Sequence, residues 1–525
     1  MLITPRASFW LSFGFFVALA LPWVLATPLG AAPDEASHMT AAAGVVRGQL
    51  VGVEHADSDG RHVLDLPPAY GELETISSCY RFRPEVSAAC APPVEDLSAT
   101  TVPVETTAGR YNPLYSALVG LPSLLPPSTA ALYGMRLASV LLVSATLAAG
   151  VRSVVETARP RWALLGLAAA VVPMVVFLSA TVNPSTLEIT AALGLWATLL
   201  AVLADPRPDL VRRRMLRAGV LVALMVNAKA LSPVLLAVVV LSVVAVFPWR
   251  ATRDLVTDRR AWPGLAVGTA GSVAAVAWVV AIGAVARPVD PAFPELTPRA
   301  AVEQVLLRAD PYLANMIGVF GSADAGMPTW AYVLGGGLVL LLVLLALAVG
   351  TPRERLVLLG LAVVVAALPL VLQVPQATQL GLPWQGRYAL PVAVGMPVLA
   401  GFVLARHRTE LGARLTAGTT LVVAVVWAVL QLTGLVSATR RFTVGAAWPW
   451  LTAQDVAWRP PVPETVILLA GVLLCALGAV GIRRLAAAGR ADDEGPDDRA
   501  TGARGPGPGD GGEDASVADR VGAGP

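Results

Sequence analysis

Apolar runs of about twenty residues recur along this chain of 525 residues, and they restrict its fold more than any other feature. They occupy approximately residues 9–28, 130–150, 162–181, 186–204, 264–286, 331–350, 355–373, 388–405, 415–436 and 464–482. Two shorter runs between residues 217 and 248, broken near Lys229 and Pro233, predict a tight helical hairpin. Because a helix of ~20 apolar residues crosses a bilayer, the sequence predicts an all-α polytopic membrane protein with about twelve transmembrane helices.

Composition supports the same class. Hydrophobic residues make up 56% of the chain and charged residues 14%, which leaves too little polar surface to cover a soluble particle of this size. The net charge is only +2, and the arginines are distributed among separate loops. No single basic surface forms, so nucleic-acid binding is not predicted.

The arginines predict the orientation in the membrane, because short cytoplasmic loops carry the positive excess. If Arg6 is cytoplasmic, most arginine clusters fall on that side, and both termini are predicted to be cytoplasmic in the cell membrane. These clusters lie within residues 152–161, 207–217, 250–260, 353–355, 406–414 and 483–484. The exception is the pair Arg440 and Arg441, which this orientation places outside. A cleaved signal over residues 1–32 is the alternative, but its apolar run exceeds the ~7–15 residues of a typical signal.

Two membrane modules are expected, at residues 1–290 and 291–486. The first contains a large external loop at 29–128, and a second external loop covers about 287–329. Residues 487–525 combine acidic clusters with a Gly- and Pro-rich end. Such a segment cannot bury enough apolar area to offset its ordering entropy, so a disordered cytoplasmic tail is predicted.

Both external loops carry features of interest. Cys79 and Cys90 lie close together in the first loop, where an oxidising exterior favours a disulfide, although two unpaired thiols would also fit. Residues 318–329 of the second loop contain three glycines and Pro328. They fit either an interfacial turn, with Trp330 in the aromatic belt, or a substrate-facing loop.

Candidate catalytic residues follow directly after the first apolar run, where residues 33–38 read P-D-E-A-S-H. Asp34 and His38 are four positions apart and would share one face of a surface helix. One interpretation is that Asp34 only caps this helix while Glu35 favours its positive end. The functional interpretation makes Asp34 or Glu35 the base that deprotonates an acceptor hydroxyl. His38 would then orient that base or help to hold a divalent cation, a cofactor the sequence leaves undecided.

Candidate substrate-binding residues lie further along the chain. Lys229 is the only lysine and falls between two apolar half-spans, where a cation is costly unless it is paired or reaches water. It could snorkel to the interface or contact a phosphate. Arg387, at the outer entrance of a span, could grip phosphate through two hydrogen bonds, with Gln385 and Tyr388 beside it. Asn183 opens another span, either as an N-cap or as a substrate contact.

Six motifs together resemble a known pattern. They are P-D-E-x-x-H at 33–38, N-P-L-Y at 112–115, N-P at 183–184, the lone Lys229, G-V-F-G at 318–321 and Q-G-R-Y-x-L-P at 385–391. Over about residues 9–405 the chain resembles a bacterial polytopic domain-of-unknown-function family assigned to the GT-C glycosyltransferase superfamily.

The resemblance implies a GT-C-like transferase that moves a sugar from a polyprenyl-phosphate carrier to a cell-envelope glycan or lipid on the extracytoplasmic face. It implies that Asp34 or Glu35 acts in catalysis and that Lys229 and Arg387 stabilise the departing phosphate. A base on one side and charge stabilisation on the other suit a single displacement with inversion. A lipid or solute transporter is the main alternative, because about twelve spans also suits carriers. A structural or signalling membrane protein is a third.

Overall fold

Helices dominate the structure. This computed structural model describes residues 4–54, 61–283, 292–446 and 458–491. In those residues it contains twenty-one α-helices and two small sheets. Nine helices of the described part are long and apolar enough to cross a membrane, and two bent helix pairs raise the number to eleven. The predicted all-α polytopic membrane fold is therefore confirmed.

The helices before residue 284 are α1 (Pro5–Ala26), α2 (Glu35–Val45), α3 (Ala69–Ile76), α4 (Pro113–Val119), α5 (Thr129–Val155), α6 (Pro160–Ala170), α7 (Pro173–Ser179), α8 (Pro184–Ala204), α9 (Val211–Val226), α10 (Ser232–Val246), α11 (Trp249–Thr257) and α12 (Trp262–Ala281). Those after residue 291 are α13 (Pro298–Leu307), α14 (Ala309–Gly318), α15 (Thr329–Val349), α16 (Pro352–Gln373), α17 (Ala377–Leu380), α18 (Leu390–Ala393), α19 (Gly395–Arg406), α20 (Ala413–Thr443) and α21 (Glu464–Ala491). We call the end of the bundle that carries α2, the start of α8 and the short helical turn Gly386–Ala389 the site face.

One predicted span is broken in the middle. The run at 162–181 forms α6 and α7, which are bent by 68° with respect to each other. Pro173 opens α7, and a proline there removes a helical hydrogen bond. The carbonyl of Val171 at the break accepts hydrogen bonds from Trp427 Nε1 at 3.1 Å and Gln431 Nε2 at 2.8 Å. Side chains of α20 thus donate the hydrogen bonds that this backbone carbonyl needs and that lipid could not provide.

The predicted hairpin around Lys229 is present as α9 and α10. α9 has only 16 residues, fewer than the roughly 20 a full crossing needs. It is not among the candidate spans of the described residues, so the predicted number of twelve stays a prediction. Helices from both predicted modules also pack together, since α19 contacts α6 and α8.

The first loop is more ordered than its composition indicates. It contains a three-stranded antiparallel sheet in the order β1 (Val53–Glu54), β2 (His62–Leu66), β3 (Val102–Thr106). Helices α2 and α3 pack against it, and a disulfide joins Cys79 and Cys90. Sequence analysis did not predict the sheet, because its strands are short and lie in polar sequence.

Arg441, at the end of α20, binds the disulfide loop to the rest of the molecule. Its guanidinium is 1% exposed and lies 2.7 Å from Asp324 Oδ2. It also donates to the carbonyls of Val86 at 2.6 Å and Tyr80 at 2.9 Å. Most arginine clusters lie at the other end of the helices, whereas Arg440 and Arg441 lie at the site face. The charge of Arg441 is tolerated there because it is buried, paired with Asp324 and hydrogen-bonded to these carbonyls.

Replacing Arg441 with Gln should free this loop. Losing a hydrogen bond to a charged group costs ~1.5–3 kcal/mol, so we expect trypsin to cleave after Arg81 at least about tenfold faster. Arg440→Gln is the matched control, because Arg440 donates to the Ala446 carbonyl rather than to the loop. Equal cleavage rates in the two variants would show that Arg441 does not hold the loop.

The second predicted loop, 287–329, is largely folded. Residues 284–291 lie outside the described part, but α13 and α14 follow, and β4 (Val319–Phe320) pairs with β5 (Ala325–Gly326). Phe320 is fully buried, with its ring 4.9 Å from that of Trp23. The segment at 318–326 is therefore a packed hairpin and not a bare turn.

The predicted tail begins inside a helix. α21 continues to Ala491, so it includes residues 487–491 of the predicted tail, and the disorder of the tail stays a prediction. The rest of the predicted tail, residues 492–525, lies outside the described residues.

Candidate active site

Asp34 stands at the start of α2 in an unusual backbone conformation. Its φ is +57°, in the left-handed region that costs energy for most residues with a side chain. The side chain makes no capping hydrogen bond to α2, so the interpretation of Asp34 as a simple cap is wrong. The carboxylate is instead 59% exposed, and its Oδ2 lies 3.4 Å from Arg387 Nη2. Asp34 thus presents an exposed carboxylate next to the Arg387 guanidinium.

Glu35, the next residue, lies in the opposite environment. Its carboxylate is fully buried and paired through both oxygens with Arg136, at 2.7 Å to Nε and 2.6 Å to Nη2. The backbone amides of Gly30 and Val182 also donate to it, at 3.1 and 3.2 Å. With both oxygens engaged away from water, Glu35 is unsuited to the predicted role of general base.

Arg136 extends this buried contact to the end of α1. Its remaining donors reach the carbonyls of Val24 at 2.9 Å, Thr27 at 2.6 Å and Pro28 at 2.8 Å. A cation inside a membrane helix is costly unless it is paired, and here carbonyls and a carboxylate pair it completely. The ion pair therefore fixes the path of the chain that leads to Asp34.

Asn183 also positions the turn at Asp34. Its Oδ1 caps α8 by accepting from the Ser185 amide at 2.9 Å, and its Nδ2 donates to the Pro33 carbonyl at 2.7 Å. The backbone amide of Asn183 donates to the Tyr115 hydroxyl at 3.0 Å. Because both ends of the side-chain amide are occupied, Asn183 is a positioning residue and not the substrate contact predicted for it.

His38 faces the same region from one turn along α2. Its ring is buried and meets the Tyr111 ring edge-on, with centroids 4.8 Å apart. Burial lowers the pKa of His38 to about 4; Asp34 acts against this, while Lys229 and Arg387 lower the pKa further. The imidazole is therefore neutral at pH 7 and adds no charge to the site.

Arg387 is buried and held on several sides. Its backbone amide donates to Asn315 Oδ1 at 2.9 Å, and Nη1 donates to Gln385 Oε1. Nη2, besides meeting Asp34, lies 3.5 Å from the Tyr388 hydroxyl. Its Nε is buried without a hydrogen-bond partner among the described residues. Since buried donors are normally paired, this nitrogen is available to an oxygen of a ligand.

Lys229 reaches the site from the connection between α9 and α10. Its Nζ lies 4.4 Å from the centre of the Tyr388 ring, a cation–π contact. The Lys229 amide donates to Ser232 Oγ at 3.1 Å, and that hydroxyl donates to Glu188 Oε1 at 2.6 Å. Burial lowers the pKa of the Lys229 ammonium to about 8, with Glu188 acting against this shift. The ammonium is thus largely charged at pH 7.

A cavity of about 460 Å³ opens beside these cations. Tyr111, Lys229 and Tyr388 line its polar end, while Leu235 of α10 and Val279 of α12 are among its apolar walls. Tyr388 connects the cavity to Arg387 and hence to Asp34. The arrangement suits an anionic group attached to an apolar chain, next to an exposed carboxylate.

A comparison with protein families identifies the family of this chain. The family described as predicted membrane protein (DUF2142) matches residues 15–396. The chain belongs to the DUF2142 family. The matched part of this DUF2142 chain includes Asp34, Asn183, Lys229 and Arg387, and it covers most of the region over which the motifs resemble a domain-of-unknown-function family.

Other comparisons of the DUF2142 chain are less specific. No curated protein matches its sequence. Among solved structures, ArnT from Cupriavidus metallidurans bound to undecaprenyl phosphate is similar at 16% identity and a TM-score of 0.40, covering 92% of this chain and 77% of ArnT. The apo state of the same ArnT gives 16% identity and a TM-score of 0.40, with 93% and 78% covered.

The described residues of the DUF2142 chain contain no group of three or more His, Cys, Asp or Glu arranged to hold a metal ion. Asp324, which could have assisted a metal site at Asp34, is engaged by Arg441 at 2.7 Å. The divalent cation considered from the sequence therefore has no ligand set in this part of the chain, and we derive no step through it.

Sequence reasoning did not select three residues that shape the site of the DUF2142 chain. Asn315 holds the backbone of Arg387, Tyr111 covers His38, and Glu188 supports the Lys229 connection through Ser232. Glu188 carried a usable signal, because an acidic residue one turn inside a span needs a partner. Asn315 and Tyr111 carried none, since polar loop residues are common.

Proposed function

We propose that this protein is a GT-C-type membrane glycosyltransferase. It moves a sugar from a polyprenyl-phosphate donor to a cell-envelope acceptor by inverting displacement. One observation carries the proposal: the exposed carboxylate of Asp34 lies 3.4 Å from Arg387, beside a cavity that has Lys229 at its polar end. The motif resemblance to a GT-C-assigned family points to the same chemistry independently.

Each residue has a separate role in the proposed step. Asp34 removes the proton from the acceptor hydroxyl, and that oxygen forms a bond to the anomeric carbon. The bond between this carbon and the phosphate oxygen breaks, and the electron pair leaves with the phosphate. Lys229 and Arg387 stabilise the developing negative charge, an effect preorganised donors supply in a water-poor site. Glu35 and Asn183 hold the turn that carries Asp34.

Arg387 changes partner during this cycle. Before substrate binds, its guanidinium holds Asp34 in place; a bound phosphate then competes for the guanidinium and for the unpaired Nε. The carboxylate is released to act as the base. Inversion requires base and leaving group on opposite sides of the sugar, so the sugar ring lies between Asp34 and the bound phosphate.

The site face is proposed to be extracytoplasmic, with both termini in the cytoplasm. The arginine clusters support this orientation, because most of them fall at the other end of the helices. The buried pairing of Arg441 with Asp324 removes the main exception.

A transfer assay tests the proposal. Membranes containing the full-length protein are incubated with a panel of radiolabelled polyprenyl-phosphate sugars, and transfer of label to envelope material is compared between the wild type and Asp34→Asn. Transfer by the wild type and its loss in the variant would support the proposal. Transfer that is equal in both would remove the proposed base, and a product with retained anomeric configuration would exclude direct displacement.

The pH dependence of transfer should report on Lys229. Since the pKa of Lys229 is lowered to about 8, its proton is present below that pH and lost above it. We therefore expect transfer to decline as the pH rises through 8. Lys229→Arg should abolish this decline even if it lowers the rate, because a guanidinium stays protonated throughout. A decline that persists in Lys229→Arg would assign the titration to another group.

A further inference from the structure

Two cavities adjoin between the same pair of helices. The cavity at the site holds about 460 Å³, and a second cavity of about 750 Å³ extends from Leu236 and Val280 beside it to Leu203 and Leu255 near the opposite face of the bundle. On α10, Leu235 lines the first and Leu236 the second; on α12, Val279 lines the first and Val280 the second. The two cavities share no lining residue, but neighbouring residues of both helices border them, and together we call these adjoining spaces the cleft.

The packing of the helices explains why this cleft stays open. α12 packs mainly against α9, where Gly219 and Gly264 let the two backbones come close. α10 packs against α8, α9 and α16 and touches α12 little. α11 is bent by 116° from α10, and its residue Leu255 lines the far cavity. The cleft therefore runs from Lys229 towards the opposite face and is bounded there by α11.

The length of the cleft identifies what fits it. Lining residues run from Leu231, directly before α10, to Val244 of α10, a distance of about 20 Å at the rise of an α-helix. One leaflet of a bilayer is only ~15 Å of hydrocarbon, half of the ~30 Å core. A lipid chain that follows the cleft from its polar end therefore passes the midplane of the bilayer. The acyl chains of a phospholipid in one leaflet do not need to reach that far.

We propose that the cleft between α10 and α12 binds the polyprenyl chain of the lipid phosphate and selects long chains over short ones. The inference rests on the proposed function, which places the phosphate at Lys229. The walls of the far cavity are almost wholly apolar, as an isoprenoid chain requires, and the only lysine of the protein stands at the polar end. A single polyprenyl phosphate would thus place its phosphate at the polar end of the cleft and its isoprenoid chain along the apolar walls.

Two probes test chain selection: undecaprenyl phosphate and geranyl phosphate, titrated against the purified full-length protein. The wild type should bind the long probe at least about tenfold more tightly, since burial of each further CH₂ adds affinity. Val240→Trp fills the far cavity and should remove this preference while leaving geranyl phosphate binding unchanged. Leu241→Trp is the matched control, because Leu241 is the next residue and is 66% exposed on another side of α10. It should keep the wild-type preference.

The outcomes separate this inference from the function on which it rests. Two results would overturn the binding of the polyprenyl chain in the cleft: equal binding of both probes by the wild type, or a preference for the long probe that persists in Val240→Trp. Either result would leave the proposed phosphate site unaffected. If the wild type binds neither probe, the proposed function fails as well. Val276→Trp, on the α12 wall, repeats the test; loss of both probes in both variants would also overturn selection by the cleft.

Discussion

Asp34→Asn should lower sugar transfer by a factor of about 10²–10⁴, the usual contribution of a positioned general base. Asparagine has nearly the same shape as aspartate and tolerates a positive φ better than most residues, so the turn at +57° is retained. The carboxylate is exposed, and although its partner Arg387 is buried, the asparagine amide oxygen can still accept a hydrogen bond from that guanidinium. The rate is measured in membranes as transfer of radiolabelled sugar.

Two controls accompany this variant. Asp96→Asn removes another exposed carboxylate of the same loop and should leave transfer unchanged. Thermal melting of purified Asp34→Asn should match that of the wild type. If transfer in Asp34→Asn were close to wild type while both controls behaved as expected, another group would have to act as the base.

Glu35→Gln should have the opposite character: a large loss of stability. Removing one partner of a buried ion pair costs ~3–5 kcal/mol, because the other charge stays buried without compensation. The side-chain amide introduced by this substitution would also direct N–H donors at the Arg136 guanidinium, which has donors only. We expect a clearly lower melting temperature for the protein in detergent, and less protein in the membrane.

The neighbouring variant Asp34→Asn is the control for this result, since the two substitutions change adjacent carboxylates in the same chemical way. A melting temperature of Glu35→Gln equal to that of the wild type would contradict the structural role. If the Glu35→Gln variant were stable but inactive, Glu35 would again be a candidate for the general base.

The comparison of these residues shows what sequence could predict. Hydropathy predicted most membrane helices, because lipid demands ~20 apolar residues whatever the tertiary contacts. Pro173 is a local signal for the break at Val171, but the partners of the freed carbonyl, Trp427 and Gln431, lie more than 250 positions away and have no such signal. The sheet of the first loop was also missed, because its strands depend on mutual pairing and not on a long apolar pattern.

The residues of the candidate site were selected from the sequence, but their separate roles could not be assigned from it. Asp34 and Glu35 are adjacent and chemically alike, so spacing alone left the base undecided. The left-handed turn at Asp34 directs one carboxylate outwards and the other to Arg136, a contact between residues 101 positions apart. Asn183 was ambiguous for a similar reason: its bond to the Pro33 carbonyl has no local sequence signal.

The pairing of Asp34 with Arg387 joins residues 353 positions apart, and Arg441 joins the disulfide loop from further still. Synthesis proceeds from the amino end, so the loop and the turn emerge from the ribosome long before their partners exist. The candidate site consequently cannot assemble until the segments that carry Arg387 and Arg441 have been synthesised.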